Sequence, residues 1–146
     1  MSELSHLSEA GDVRMVDVGG KPVSRRRAVA RATVTMATET AQTLRELPKG
    51  DALVTAQLAG IMAAKRTSEL IPLCHPLPLS HIEVSLQVVD AAVEITGSVE
   101  TSAQTGVEME ALTAVSVAAL TVYDMAKAID KNMSVTDVTL VEKTKE

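Results

Sequence analysis

The chain is almost without aromatic residues, with one tyrosine and neither phenylalanine nor tryptophan among its 146 residues. Proteins that bind single-stranded nucleic acid rely on aromatic stacking platforms, so this scarcity argues against such a partner. The net charge of −5 argues against nucleic acid in general. The core must be built from valine, leucine, isoleucine, alanine and methionine. Because these side chains bury less area than aromatic rings, the core would gain from extending across subunits, which predicts an oligomer.

Cysteine is the next scarcity, since Cys74 is the only one in the chain. A single cysteine excludes an intrachain disulfide framework and a multi-cysteine zinc site. With His75 and His81 it makes too sparse a set of ligands, so no metal site is predicted. A phosphate-binding glycine loop and a nucleophile elbow are missing as well. We therefore expect Cys74 to be a chemically inert small residue.

Long apolar runs are also missing: no segment approaches the roughly 20 residues that cross a bilayer. Residues 1–11 lack the apolar core of a signal peptide. A hydrophobic content of 46% still suffices for one globular domain. These observations predict a cytoplasmic protein with no membrane partner. We predict an irregular N-terminal arm over residues 1–24 and one domain over residues 25–146.

Apolar and polar residues alternate in four segments, which are predicted as strands over residues 28–36, 81–89, 93–101 and 135–141. Helical spacing predicts helices over residues 38–47, 52–66 and 105–130, with a charged tail over 142–146. Thr38 and Asp51 are expected N-caps, and Thr105 with Glu108 is expected to form a capping box. The order is β-α-β-β-α-β, with two helices in the first crossover. It predicts an α+β, ferredoxin-like fold, an antiparallel sheet with helices packed on one face.

The stretch from residue 70 to residue 81 contains three prolines, Pro72, Pro76 and Pro78, around a single imidazole, His75. Each proline fixes φ, removes a backbone donor and favours an extended conformation in the preceding residue. The result is a stiff loop, and rigid loops often carry binding or catalytic groups. The alternative is a structural crossover with its histidine packed in the interior. This segment alone leaves both interpretations open.

The longest helix carries a stripe of polar groups that includes Glu110, Thr113, Thr121 and Asp124, with Lys127 one turn beyond Asp124. The stripe is either a solvated face with an ordinary ion pair or a surface facing a ligand. Glu110 and Asp124 are about 21 Å apart along the helix axis. One small ligand cannot touch both ends of a straight helix. If both residues serve one site, either the helix bends or neighbouring subunits supply different parts of it.

Six segments in order resemble the MoaC family, and together they cover nearly the whole chain. They are Met-Val-Asp-Val at 15–18, Lys-Gly-Asp at 49–51, Ala-Ala-Lys-Arg-Thr at 63–67, Leu-Ile-Pro-Leu-Cys-His-Pro at 70–76, Thr-Gly-Val-Glu-Met-Glu-Ala-Leu-Thr at 105–113 and Ala-Ala-Leu-Thr-Val-Tyr-Asp-Met-Ala-Lys at 118–127. The resemblance implies a ferredoxin-like homohexamer, a trimer of dimers. It also implies a lyase of molybdenum cofactor biosynthesis. Such a lyase converts 3′,8-cyclo-7,8-dihydroguanosine 5′-triphosphate into cyclic pyranopterin monophosphate and releases pyrophosphate.

The resemblance also implies which residues form the site. Asp124 matches the acid–base residue, Lys127 the catalytic lysine beside it and Lys49 a further catalytic position. The implied substrate-binding residues are Leu73, Cys74, His75, Glu108, Met109 and Glu110, with Lys21 and Arg26 near the triphosphate. No resident cofactor is implied. A Mg²⁺ ion carried on the triphosphate would be compatible, although no protein ligand set for it is visible.

The residue chemistry agrees with such a reaction, which must move protons and stabilise a departing pyrophosphate. Asp124 beside Lys127 supplies an acid–base pair whose pKa values we expect burial to shift. Lysines and arginines can hold a triphosphate, and Glu110 can accept hydrogen bonds from a purine-derived N–H edge. His75 could donate to phosphate or relay a proton. The rival from another class is a non-catalytic ferredoxin-like oligomer that binds a small anionic metabolite.

Overall fold

The computed structural model describes Leu7, Ser8 and residues 10–146. Its elements in chain order are β1 (Ser24–Thr35), α1 (Thr38–Gln42), α2 (Ala52–Lys65), α3 (Thr67–Leu70), β2 (Leu79–Val89), β3 (Ala92–Ala103), α4 (Glu108–Ala126) and β4 (Ser134–Lys145). The predicted β-α-β-β-α-β order is confirmed. The sequence did not reveal α3, because four residues are too few to show a helical period.

The four strands form one sheet in the order β2-β3-β1-β4, and each neighbouring pair is antiparallel. The helix α4 packs on β1 and β3, while α2 packs on α4 and on β2. Alternate residues of the two central strands, among them Ala30, Ala32, Val93 and Ile95, are buried beneath these helices. The α+β, ferredoxin-like fold is therefore confirmed.

Several element boundaries differ from those predicted. The strand β4 continues to Lys145, so most of the predicted charged tail is a strand, in which Lys143 pairs with Ala28 and Lys145 with Arg26. These residues are held by the backbone ladder, which a search for alternating hydrophobicity cannot detect. The helix α1 ends at Gln42 and α4 ends at Ala126. Both end earlier than predicted, because apolar spacing continues into the turns that follow.

Helix capping matches the prediction at one of three places. Asp51 caps α2, and its Oδ1 accepts hydrogen bonds from the backbone N–H groups of Leu53 (2.9 Å) and Val54 (3.2 Å). Thr38 is not a cap. Instead Asp130 Oδ2, from the turn after α4, accepts hydrogen bonds from Ala37 N (2.9 Å) and Thr40 Oγ1 (2.8 Å) at the start of α1. This contact joins α1 to the C-terminal end of α4.

The predicted capping box at α4 is wrong. The N-cap is Val107, and that residue makes no side-chain capping bond. The Glu108 carboxylate folds over Gly106 instead, where it lies beside the glycine Cα.

Glycine permits close packing between α4 and the sheet. A Cβ added to Gly97 on β3 would lie 2.9 Å from Val115 Cγ1 and 3.4 Å from the Ala111 carbonyl oxygen, both on α4. Val115 is fully buried, so its side chain has no free space into which to move. The distance between the helix and the sheet is therefore set by the missing side chain.

Replacing Gly97 by alanine is expected to destabilise the protein by about 1–3 kcal/mol, because an extra methyl group must be forced into a filled interior. The free energy of unfolding in urea measures this loss. Gly20→Ala is the matched control, since no described atom lies within 4 Å of its added Cβ. Equal stability of the two variants would show that α4 can shift away from the sheet without cost.

The helix α4 also corrects the expectation about apolar runs. It has 19 residues and is long and apolar enough to cross a membrane. However, more than half of it is buried inside the fold, where its apolar residues are the packing face of a core helix.

The described part of the N-terminal arm is an irregular segment that leads to β1. Leu7 and Val13 form an isolated bridge, and the chain then runs largely exposed to Val23. Val16 and Val18 are half-buried, unlike their neighbours. The division into an arm over residues 1–24 and a domain over 25–146 stays a prediction, and residues 1–6 and 9 lie outside the described residues.

Candidate functional site

A cavity of about 280 Å³ lies at the N-terminal end of α4. Its walls come from three separate parts of the chain: the arm, the proline-rich loop and the first turn of α4. Seven of the predicted site residues line it, namely Lys21, Leu73, Cys74, His75, Glu108, Met109 and Glu110. Sequence reasoning did not select the remaining wall residues, which are Val16, Val18, Leu77, Thr105 and Gly106. The motif at 15–18 was the available signal for the first two.

The proline-rich loop is fixed at both ends. Cys74 N donates to the Ile71 carbonyl (3.1 Å), and Ile71 has the extended conformation expected before a proline. At the other end the Thr101 hydroxyl donates to the Pro78 carbonyl at 2.6 Å. Between these anchors the His75 ring is half-buried, and its Nε2 donates to the Val16 carbonyl of the arm at 2.7 Å. The ring belongs to the cavity wall, so the purely interior histidine is not what the structure shows.

Glu110 is the most deeply buried acidic group of the cavity, with 4% of its surface exposed. Burial raises the pKa of its carboxyl, and the neighbouring negative charge of Glu108 raises it further. The pKa of the Cys74 thiol is also raised, mainly by burial and then by the charge of Glu110. Since the thiolate is the reactive form, this is consistent with the inert role expected for Cys74.

Replacing Glu110 by glutamine is expected to stabilise the fold increasingly as the pH rises above 4.5, the ordinary pKa of a glutamate. In that range the folded carboxyl keeps a proton that the unfolded chain has released, so wild-type stability falls with rising pH. Glutamine cannot ionise and avoids this loss. Urea unfolding at about pH 4 and about pH 7 measures the difference.

The control for this prediction is Glu94→Gln, which changes an exposed carboxylate on β3. The change in stability between the two pH values should be larger for Glu110→Gln than for this exposed control. If the gain from Glu110→Gln is the same at both, burial of the ionised carboxylate does not limit the stability of the fold.

A second cluster of predicted residues lies at the other end of α4. Asp124 Oδ2 is 2.9 Å from Lys49 Nζ, and Asp124 Oδ1 is 3.1 Å from Lys127 Nζ. The hydrogen bonds from Lys49 and Lys127 lower the pKa of Asp124. The side chains are about half exposed, at 50%, 53% and 56% for Lys49, Asp124 and Lys127. The prediction that Asp124 and Lys127 are buried is therefore wrong for the single chain. The pKa of Asp124 is lowered by its ion pairs and not by burial.

Lys49 reaches Asp124 from a tight turn between α1 and α2. Leu47 and Gly50 exchange backbone hydrogen bonds in both directions, at 3.2 Å and 2.9 Å, with Lys49 held between them. Gly50 has φ = +115°, a conformation that residues with a side chain rarely adopt. The Lys-Gly-Asp segment thus combines a lysine, the glycine that closes its turn and the N-cap of the next helix.

Arg26 is not brought to either cluster. Its guanidinium donates through Nε to the Ala103 carbonyl (3.3 Å) and through Nη2 to the Gln104 carbonyl (3.4 Å), at the end of β3. It lines a separate cleft of about 100 Å³ with Arg25, Arg27 and the end of β4. In this chain the Arg26 guanidinium anchors the backbone at the end of β3.

The two clusters are therefore separate in one protomer. The helix that connects them is uninterrupted from Glu108 to Ala126, and Glu110 and Asp124 are about 21 Å apart along it.

In residues 7, 8 and 10–146, no group of three or more histidine, cysteine or acidic side chains is placed to hold a metal ion.

Comparison with known proteins assigns this chain to a family. The model of the MoaC family matches residues 15–146. The chain is 58% identical over 147 residues to the cyclic pyranopterin monophosphate synthase of Thermomicrobium roseum, covering 98% of this chain and 89% of that protein. Proteins of the same name are similar in Streptomyces coelicolor, at 59% identity over 97% of this chain and 84% of the relative. In Roseiflexus sp. the identity is 57%, over 99% of this chain and 94% of the relative.

Proposed function

Because the chain belongs to the MoaC family, we propose that it converts 3′,8-cyclo-7,8-dihydroguanosine 5′-triphosphate into cyclic pyranopterin monophosphate and pyrophosphate, an early step of molybdenum cofactor biosynthesis. The chain is an enzyme, since relatives at 57–59% identity are all named as synthases. The observation that carries the proposal is the cavity, where seven of the residues expected from the resemblance come together from three parts of the chain.

The cavity suits the purine-derived part of such a substrate. Glu110 can accept hydrogen bonds from N–H groups when ionised, and can also donate one when protonated, which its raised pKa favours. Met109 and Leu73 supply apolar walls. Lys21 brings a cation to the rim on the arm side, where a phosphate group could be held. His75 completes the polar groups of the wall.

The second cluster suits proton transfer and charge neutralisation. The ion pairs lower the pKa of Asp124, so it is ionised at neutral pH and anchors two ammonium groups. The same ion pairs make it a weaker base, and we assign it the proton-acceptor role from its position in the cluster. Lys127 and Lys49 are then the proton donors of the cluster and the cations that stabilise a departing pyrophosphate. This assigns acid and base roles to different members of one ion-paired group.

One substrate can engage both clusters if the protein assembles from several copies, and we propose a homohexamer built as a trimer of dimers. The long separation along α4 supports a site that is shared between two chains. Large apolar side chains stay exposed on the outer helical surfaces, including Leu58 on α2 (58%) and Leu120 on α4 (59%). Burying them against a second copy would extend a core that lacks aromatic residues.

The proposed chemistry uses acid–base groups and no resident cofactor. A Mg²⁺ ion, where the reaction requires one, would arrive with the triphosphate of the substrate. The nucleotide substrate and a soluble chain also agree with a location in the cytoplasm, which we propose for this protein.

The test is turnover of the purified protein with the cyclic nucleotide triphosphate. We expect cyclic pyranopterin monophosphate and pyrophosphate to form in equal amounts, measured by chromatography and by a pyrophosphate assay. The control is the Asp124→Asn variant, which keeps the shape of the side chain but removes its charge and should form little product. Tight binding of the nucleotide without either product would favour the non-catalytic binding module and overturn the proposed activity.

A further inference from the structure

Side-chain hydrogen bonds hold the arm against the cavity. Gln104, just after β3, donates from Nε2 to the carbonyl oxygens of Gly19 and Lys21, each at 3.1 Å. Lys21 N donates to the Val18 carbonyl (3.0 Å), which closes the turn between those two contacts. One carboxamide therefore holds both sides of the turn that precedes β1. These bonds tie an otherwise exposed turn to the end of β3.

The same arm determines which nitrogen of His75 is available. A backbone carbonyl can only accept a hydrogen bond, so the 2.7 Å contact with Val16 requires the proton to be on Nε2. In the neutral ring Nδ1 is then the unprotonated nitrogen. Among the residues that the structure describes, Nδ1 has no hydrogen-bond partner, and the ring lines the cavity. The free nitrogen is thus an acceptor and a base.

We propose that Gln104 is a positioning residue that pins the arm and, through the Val16 carbonyl, holds His75 in the tautomer that meets the substrate with an unprotonated Nδ1. The inference rests on the proposed function, because it assigns a role within that site. Of the two roles considered for His75, it selects acceptance of a proton or hydrogen bond from the substrate and excludes donation to phosphate by the neutral ring.

The backbone at Gln104 is itself held in place. The Arg26 guanidinium donates to the backbone carbonyls of Ala103 and Gln104 and so fixes the point from which the carboxamide reaches the arm. Arg26 therefore holds the backbone at Gln104, and the Gln104 side chain holds the turn that contains Lys21. The same arm presents the Val16 carbonyl to the His75 ring. Arg26 would thereby influence the site without touching substrate.

The test combines nuclear magnetic resonance of the ring with kinetics. The chain has three histidines, so the ring signals of ¹⁵N-labelled protein can be assigned with His6→Gln and His81→Gln variants. In the wild-type protein without substrate, at a pH where the ring is neutral, we expect His75 to carry its proton on Nε2. In Gln104→Glu, which keeps the shape and loses the donor, we expect averaging between the two tautomers. A proton on Nδ1 in the wild type, or unchanged signals in Gln104→Glu, would overturn the proposal whether or not the enzyme turns over this substrate.

The kinetic part separates positioning from general stability. Gln104→Glu should lower kcat about 10- to 100-fold, as expected for a displaced catalytic group. It should add little to the kcat loss of His75→Ala in the double variant. Gln104→Lys restores a donor and should recover most of the activity, while Gln87→Ala, an exposed position on β2, is the control. If Gln104→Glu does not fold, Gln104→Ala takes its place. The role would be contradicted if the kcat losses of Gln104→Glu and His75→Ala add up in the double variant. It would also be contradicted if Gln104→Glu and Gln104→Ala both keep the wild-type kcat.

Discussion

Replacing Lys127 by alanine is expected to lower kcat by about 10²- to 10⁴-fold, the range that a positioned acid or base contributes. The ammonium group is 3.1 Å from Asp124 and about half exposed, so its removal leaves no cavity in the core. The backbone bond from Lys127 N to the Tyr123 carbonyl does not depend on the side chain. Stability should therefore change little. Steady-state turnover and a urea unfolding curve on the same preparation check both halves of the prediction.

Two further variants show what Lys127 does. Lys127→Arg keeps the positive charge but cannot release a proton at ordinary pH, so it should remain nearly as slow as alanine if proton donation matters. Lys145→Ala removes an exposed lysine at the end of β4 and should retain wild-type turnover. Normal turnover of Lys127→Ala would remove this residue from the mechanism. Full activity of Lys127→Arg would reduce its role to charge alone.

Mixing two inactive variants is expected to restore activity if each site is shared between chains. Glu110→Ala lacks the cavity carboxylate and Asp124→Ala lacks the centre of the second cluster, and each should be inactive alone. After dissociation and random reassociation, half of the dimers contain one chain of each kind. A mixed dimer has one site with both defects and one site with neither. Recovery should therefore approach roughly one quarter of wild-type activity.

The result depends on chain exchange, which must be measured by native mass spectrometry with one variant isotopically labelled. A mixture of Asp124→Ala with Lys127→Ala is the matched control. Both defects lie in the same cluster, at Asp124 and Lys127, so every site of a mixed dimer contains at least one of them. That mixture should stay inactive. Complete exchange without recovery in the first mixture would show that one chain supplies both clusters.

Local patterns were sufficient to predict the elements that repeat a simple period. The alternation in β2 and β3 and the helical spacing of α2 and α4 predicted the order that the structure has. Contacts between distant residues were not predictable in this way. Asp130 accepts a hydrogen bond from Ala37, 93 residues earlier and just before α1, and no local pattern relates the two residues. The exposure of Asp124 depends similarly on what packs around α4.

The candidate site was predictable as a set of residues and not as an arrangement. The resemblance supplied Lys21, His75 and Glu110, and the structure brings these three to one cavity. The resemblance could not supply the hydrogen bond between His75 and Val16, which depends on how the arm crosses the loop. Arg26 lies outside both clusters of the single chain, where it bonds to the end of β3, and its expected position near the triphosphate stays a prediction.

The way in which the arm is attached has a consequence for how the protein opens. On one side the cavity is bounded by α4 and by a loop that Thr101 ties to β3 and that packs on the core through Leu77. On the other side it is bounded by the arm, which is held by side-chain hydrogen bonds and not by a strand ladder. Opening on the arm side would break the bonds made by Gln104 and His75 and leave the sheet and helices intact, so it should cost less than global unfolding. Amide hydrogen exchange should therefore be fast at residues 16–21 and slow in β3 and α4, so that ligands exchange through the arm side while the core stays folded.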